Sequence, residues 1–305
     1  MRQIKTMLTL VTGLAVACAA PGREAAWEKD KDQAAADKME ATKTSSSAAA
    51  GELDAATAAW SKRDDKAEVE KAIAAWESVA KQDPTNAQAM ISLARAYYFL
   101  VDGHVAIDGS VDAEGQKALY QKGVDWGEKA LLVLDPEFGK TMKAGGEFQD
   151  AIKKIGSEGM PAAYWYCTNL GRFAVLSGLS AKLFYKDRVA AAMGRIRELD
   201  AGFFYKAADR YFGAFYSALP SIAGKDVEKS KSHFKMALEG GADYLPNKVV
   251  KAQFLAVELD DRDMYEALLN EVLAAPDGEN PDTAPENRAA KRAAKKLLAD
   301  ADDLF

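Results

Sequence analysis

The chain has 305 residues, 49% of them apolar, and its 40 Lys and Arg against 46 Asp and Glu give a net charge of −6. That length and composition support a sizeable core in one large domain or two small ones, and the mild acidity excludes a general nucleic-acid footprint. Two histidines and two cysteines, with no Cys-x-x-Cys or His-x-x-x-His spacing, are too few for a tetrahedral site of about four ligands, so no metal and no cofactor is expected.

The first element is a leader. Arg2 and Lys5 precede an apolar run, 6–17, that is too short to span a bilayer, and small residues Ala15-Val16-Ala17 lead to Cys18. A plain secretory signal needs no cysteine after the cut. The stretch resembles a bacterial lipoprotein lipobox, with Ala15 where leucine is usual. Residues 1–17 therefore read as a lipoprotein signal peptide and Cys18 as the lipidation site. The alternative is ordinary cleavage after Ala17 into a soluble secreted form. Stable attachment requires more than one acyl chain, and Ala19 in place of aspartate points to the outer membrane facing the periplasm. Residues 18–50 are dominated by Ala, Lys, Glu, Asp and Ser and close on "TKTSSSAAAG". They hold too little large apolar surface to fold alone and read as a flexible tether.

From residue 51 to 305 the periodicity is helical, with no alternating strand. Prolines 84, 136, 161, 220, 246 and 276 punctuate it as helix boundaries. The pattern predicts helices over 51–62, 66–82, 87–101, 113–134, 147–156, 161–179, 187–199, 203–218, 226–239, 246–259, 261–274 and 284–301, with insertions at 102–112 and 135–160. The helices pair. In "AIAAWESVAKQDPTNAQAMISLARAYYFL", Ala72, Trp76 and Val79 share one face, and Met90, Leu93, Ala94 and Tyr97 answer from the next helix. The unit resembles a tetratricopeptide repeat. Its centre recurs in "CTNLGRFA", with Leu170-Gly171 as the close-packing pair, and in "DRYFGAFY", with Phe212-Gly213. "SKSHFKMAL" supplies a further second helix. The expected fold is all-α, an α-solenoid of tetratricopeptide-like helical hairpins, with the basic terminal helix "NRAAKRAAKKLL" as a C-terminal capping helix. A membrane-surface role for that helix is the lesser reading.

A closer resemblance runs from residue 87 to the end. "LYQKGVDWGEKALLVLDPEF", "MPAAYWYCTNLGRFAVLSG", "RIRELDAGFFYKAADRYFGAFYSALPSIAGKDVEKSKSHFKMALE", "LDDRDMYEALLNEVLAAPD" and "LLADADDLF" occur in order and together resemble the TatT family, tetratricopeptide-repeat lipoproteins associated with TRAP transporters. The resemblance implies a periplasmic, lipid-anchored α-solenoid that assembles as a homotrimer. It implies a periplasmic solute-binding protein of a TRAP system as partner, and an apolar pore handling an organic-acid or hydrophobic ligand. It implies no enzymatic activity. The sequence departs from the family at Ala223-Gly224, where the family tends to Gly-Gly, and at Arg172, where a less charged residue is expected.

Candidate site residues follow from the same pattern. Tyr164, Trp165 and Tyr166 point about 100° apart on a helix and cannot all face one core; the same holds for Phe203, Phe204 and Tyr205. Such helices are either covered on several sides or line a groove. On the resemblance, the concave face receives Arg95, Arg172 and Arg210, with Trp165 and Thr168 nearby, an arrangement that suits a carboxylate. The competing reading leaves each arginine exposed or paired with a local acid such as Asp209 or Glu198. Cys167 reads as an inert buried thiol. His104 sits in the acidic stretch "DGHVAIDGSVDAEG", which lacks the calcium-loop order, and His233 reads as a half-buried repeat residue. "FGKT" at 138–141 lacks the first glycine of a phosphate loop, and no Gly-x-Ser-x-Gly nucleophile motif occurs. The competing function is an envelope tetratricopeptide scaffold binding a peptide or protein segment on its concave face.

Overall fold

Side-chain caps and N-terminal prolines fix where the helices begin. The structure, a computed structural model, describes residues 23–28 and 47–305. The signal peptide, Cys18 and the greater part of the expected tether lie outside the described residues. The helices are α1 (Ser47–Trp60), α2 (Lys66–Gln82), α3 (Ala87–Leu100), α4 (Ala113–Leu134), α5 (Pro136–Lys143), α6 (Phe148–Ile152), α7 (Met160–Leu176), α8 (Leu179–Leu199), α9 (Phe203–Ala218), α10 (Val227–Gly240), α11 (Pro246–Lys251), α12 (Arg262–Ala274) and α13 (Ala284–Ala299). Asp65, Asn86, Asp112, Asp135, Asp226 and Asp261 each accept a backbone N–H of the turn they start, and Pro136, Pro161, Pro246 and Pro285 open helices. Each cap contributes about 1 kcal/mol. The described residues contain no strand, and none of their helices is long and apolar enough to cross a membrane.

Several boundaries differ from the sequence reading. Helix α8 starts at Leu179, eight residues earlier than predicted, because Gly178 turns the chain with φ 94°. Its first turns carry exposed Leu179, Leu183 and Phe184, so no clean apolar stripe marks them. The insertion at 135–160 holds α5, begun by Asp135, whose carboxylate accepts the Phe138 N–H at 2.9 Å. The stretch around His104 is not a loop: α3 continues through a π-helical turn, Val101–Val105. A second π turn, Ala252–Ala256, follows α11.

Neighbouring helices pack in chain order, α1 on α2, α2 on α3, α3 on α4, then α4 on α7, α7 on α8 and α9 on α10. Helix α7 is covered on several sides, which resolves the YWYC problem: Tyr164, Trp165, Tyr166 and Cys167 are all buried. The α4–α7 contact is close because Gly127 faces it. A Cβ there would lie 2.7 Å from the Tyr166 Cα. Gly213 plays the expected close-packing role, since a Cβ there would lie 2.8 Å from the Phe234 ring, but a Cβ at Gly171 would meet nothing. The expectation for the Leu170-Gly171 pair is corrected accordingly: that glycine faces open space.

A second core forms from α11, the following π turn, α12 and α13, with Leu245, Tyr265, Leu269 and Ala294 buried. The terminal helix α13 packs on α12 and also returns to the start of the domain. Glu286 accepts from Arg63 at 2.8 and 3.2 Å and from Arg95 at 2.7 Å. Arg288 bonds Asp64, and Arg292 donates to the Gly103 carbonyl at 3.1 Å.

One stretch of the expected tether is part of the body. Residues 23–28 lie against α4 with Trp27 1% exposed. The reading of 18–50 as a flexible tether is corrected at this hexapeptide, because Trp27 and Arg23 supply the apolar and ionic contacts that the surrounding composition lacks. Helix α1 likewise begins at Ser47, inside the expected tether. Burial pushes the Glu128 carboxyl up, against the opposing pull of the Arg23 guanidinium and the Ala26 N–H that bond it.

Candidate ligand cavity

Two neighbouring cavities open among the helices. The first, about 220 Å³, lies among α7, α8 and α9 and is mostly apolar. The second, about 300 Å³, lies between the Val101–Val105 turn, α4, α11 and α13. Tyr98, Tyr164, Arg172, Val175, Arg210 and Val250 line both, so they form a common wall. Both π turns face this space, Asp102 and Gly103 from one, Gln253 and Phe254 from the other. A π turn widens a helix locally and shifts the side chains that follow, which is why such turns recur at functional sites. Exposed Val175, Leu179 and Leu183 line the first cavity. Leu219 and Pro220 also line it, and they lead into the Ser221–Ala223 turn that carries Ile222, 99% exposed.

The two arginines of the common wall differ in charge balance. Arg172, on α7, places Nη2 2.5 Å from Asp102 Oδ2, and the same carboxylate accepts the Tyr120 hydroxyl. Its charge is compensated. Burial and the neighbouring Asp102 push the Tyr98 hydroxyl well above the usual phenol range, so it stays a neutral donor. Arg210, on α9, is 8% exposed and donates to three neutral oxygens: Tyr164 Oη at 2.8 Å, Asn247 Oδ1 at 2.7 Å and the Tyr205 carbonyl at 3.3 Å. The Tyr244 ring lies 5.0 Å from its guanidinium carbon. No acid among the described residues forms an ion pair with it. A buried guanidinium held only by neutral acceptors favours an incoming anion.

The backbone before Arg210 is strained. Phe204, Tyr205 and Lys206 have φ of 42°, 57° and 61°, a left-handed turn at the start of α9. Such a turn costs on the order of 1–2 kcal/mol per residue. The aromatics there form one cluster: Phe204 packs on Trp165, Tyr164 and Tyr244, while Tyr205 stacks on Tyr244 at 5.0 Å. The turn also brings the Tyr205 carbonyl to Arg210 and Asn247.

The candidate residues thus divide. Arg172, Arg210 and Thr168 line the cavities, Thr168 with its hydroxyl donated to the Tyr164 carbonyl at 2.7 Å. Arg95 and Trp165 line neither. Arg95 is a cross-tie bonded to Glu286, with its guanidinium against the rings of Trp60, Trp165 and Phe204. Trp165 fills the space between Tyr98 and Phe204. The acids named as local partners are engaged elsewhere: Asp209 with Arg197 and His233, Glu198 with Arg195. Sequence reasoning missed Tyr98, Asp102, Tyr244 and Asn247. Asn247 meets Arg210 across 37 positions, and no local pattern signals that contact.

Cys167 is fully buried in the first cavity's wall; burial pushes its thiol far up, and it donates to the Tyr164 carbonyl at 3.4 Å. His104 is buried, with Nε2 2.8 Å from the Arg63 carbonyl. Among the described residues no group of three or more His, Cys, Asp or Glu side chains converges as a metal site.

No curated protein matches the chain. A family profile described as "TRAP transporter T-component" matches residues 63–305, starting earlier than the resemblance read from residue 87 and including α2. With an all-helical body and four-fifths of its length matched, this chain belongs to the TRAP transporter T-component family.

Proposed function

We propose that the protein is a periplasmic accessory of a TRAP-type transporter, anchored to the outer membrane by lipid on Cys18, that docks a solute-binding protein and handles an anionic amphiphile in its two neighbouring cavities. In this reading the helical pairs form a tetratricopeptide-like solenoid, α13 closes it, and three copies assemble. Arg210 carries the ligand half of the proposal. It is a buried cation without an acid partner, set in the wall that both cavities share. A carboxylate would bond Arg210 while its apolar tail occupies the first cavity. The exposed apolar rim at Leu179, Leu183 and Ile222 is where the solute-binding partner would seat.

The test is calorimetric titration of the full chain with aliphatic carboxylates and the matching alcohols. A hydrogen bond to a charged group contributes about 1.5–3 kcal/mol, roughly tenfold to a hundredfold in affinity. Carboxylates should bind tighter than alcohols by that factor, and Arg210→Gln should erase the preference. Equal binding of acid and alcohol by the wild type would overturn the assignment. Capture of a TRAP solute-binding protein by the immobilised full chain tests the docking half.

A further inference from the structure

Residues 23–28 occupy a groove built for them. We infer that this hexapeptide is a clasp that holds the anchor end of the chain on the α4–α8 side of the body and so fixes which side faces the membrane. The orientation half rests on the lipid anchoring proposed above; the clasp itself does not.

Two contacts define the groove. Trp27 enters an aromatic box, with ring centroids 5.6 Å from Phe138, 6.1 Å from Tyr166 and 6.2 Å from Phe148. The Arg188 guanidinium covers both Trp27 and Phe148, at 5.7 and 5.2 Å. Four residues earlier, Arg23 forks onto Glu128 at 2.7 and 2.8 Å and reaches Asp125 at 2.9 Å. The Ala26 N–H adds a third bond to Glu128, at 2.8 Å. Glu128 is 0% exposed, and among the described residues the hydrogen-bond donors to its carboxylate come from the hexapeptide. Without the segment the groove would lose the partners of the Glu128 carboxylate and open an apolar aromatic box to solvent. The groove is therefore complete only when occupied. The hexapeptide also lies outside the family match at 63–305.

Chain length turns this contact into an orientation. Four residues, 19–22, lie between Cys18 and Arg23, a span of five Cα–Cα steps. Whatever their conformation, they reach no further than about 18 Å at full extension. A slack 32-residue coil would allow about 30 Å root-mean-square and free rotation of the body. With the clasp closed, the side formed by α4, α5, α6 and α8 stays next to the membrane, and the link from 29 to 46 does not lengthen the leash.

Amide hydrogen exchange on the full chain tests the clasp. The Ala26 amide, bonded to a buried carboxylate, should exchange at least a hundredfold more slowly than a free amide. Arg23→Ala with Trp27→Ala should abolish that protection while α7 amides stay protected, which establishes that the body is still folded. Ala26 exchange at the free rate in the wild type would overturn the clasp. Neutron reflectometry of the acylated protein on a supported bilayer tests orientation. A body within about 18 Å of the lipid, moving outward in the double variant, is the expected result; equal spacing in both would overturn it. Mass spectrometry showing Cys18 without acyl groups would overturn the orientation and leave the exchange result to decide the clasp.

Discussion

His104 illustrates how one side chain can set a pH response. It is enclosed by the Val101–Val105 turn, sits edge-on to Phe99 at 5.5 Å and donates to the Arg63 carbonyl. Burial holds its imidazole below the usual value of 6.5, and nearby Arg292 and Lys66 act in the same direction, against the Arg63 carbonyl bond and Asp108. The unfolded chain therefore takes up a proton first. The stability that His104 contributes is complete above pH 6.5 and is lost as pH falls below it toward the folded value. Urea midpoints measured from pH 7.5 to 5 should fall for the wild type, and His104→Gln, which retains a donor for the Arg63 carbonyl, should flatten that slope. Arg210 shows the opposite role for a buried cation. It keeps its charge at every accessible pH, so its effect on ligand preference should hold as long as the carboxylate ligand itself stays ionised.

At the scale of elements, glycines decide which helices touch. Two of them carry opposite predictions. A methyl at Gly127 meets the Tyr166 backbone at 2.7 Å, where the obstacle cannot rotate away. Gly127→Ala should destabilise the fold by about 1–3 kcal/mol despite the better helix propensity of alanine. Gly171 faces open space at the first cavity. Gly171→Ala should stabilise by about 0.5–1 kcal/mol, since the substitution reduces only the freedom of the unfolded chain. Denaturation midpoints of the two variants decide both. Element boundaries were legible where caps and prolines stand next to amphipathic runs: 66–82 and 113–134 match the observed ends. They were not legible at 179–186, where apolar side chains face outward, or at 204–206, where a left-handed turn hides inside an aromatic run.

Across the whole molecule, Glu286 joins the two ends of the domain. It takes two arginines, Arg63 from the end of the first hairpin and Arg95 from α3, while sitting on the last long helix. Glu286→Gln would leave two guanidiniums short of charge in a largely buried setting. Breaking a buried pair from one side costs about 3–5 kcal/mol. The expected result is an early unfolding transition of the C-terminal bundle, read by hydrogen exchange over 245–301 ahead of exchange in α7. Simultaneous loss of protection in both would show that the two cores unfold as one unit.

The sequence by itself determined the helical class, most helix ends, the family, and the presence of arginines and aromatics suited to a groove. Those follow from local periodicity, caps and ordered blocks, which act over a few residues. Only the tertiary structure decided which arginine is compensated. Arg172 meets Asp102 70 positions away, Arg95 meets Glu286 191 positions away, and Arg210 meets no acid among the described residues. It also placed Trp27 inside the body, in a stretch whose composition reads as slack. Charge pairing and burial depend on which distant side chains share a space, and that is fixed by how helices stack, not by the order in which they are written.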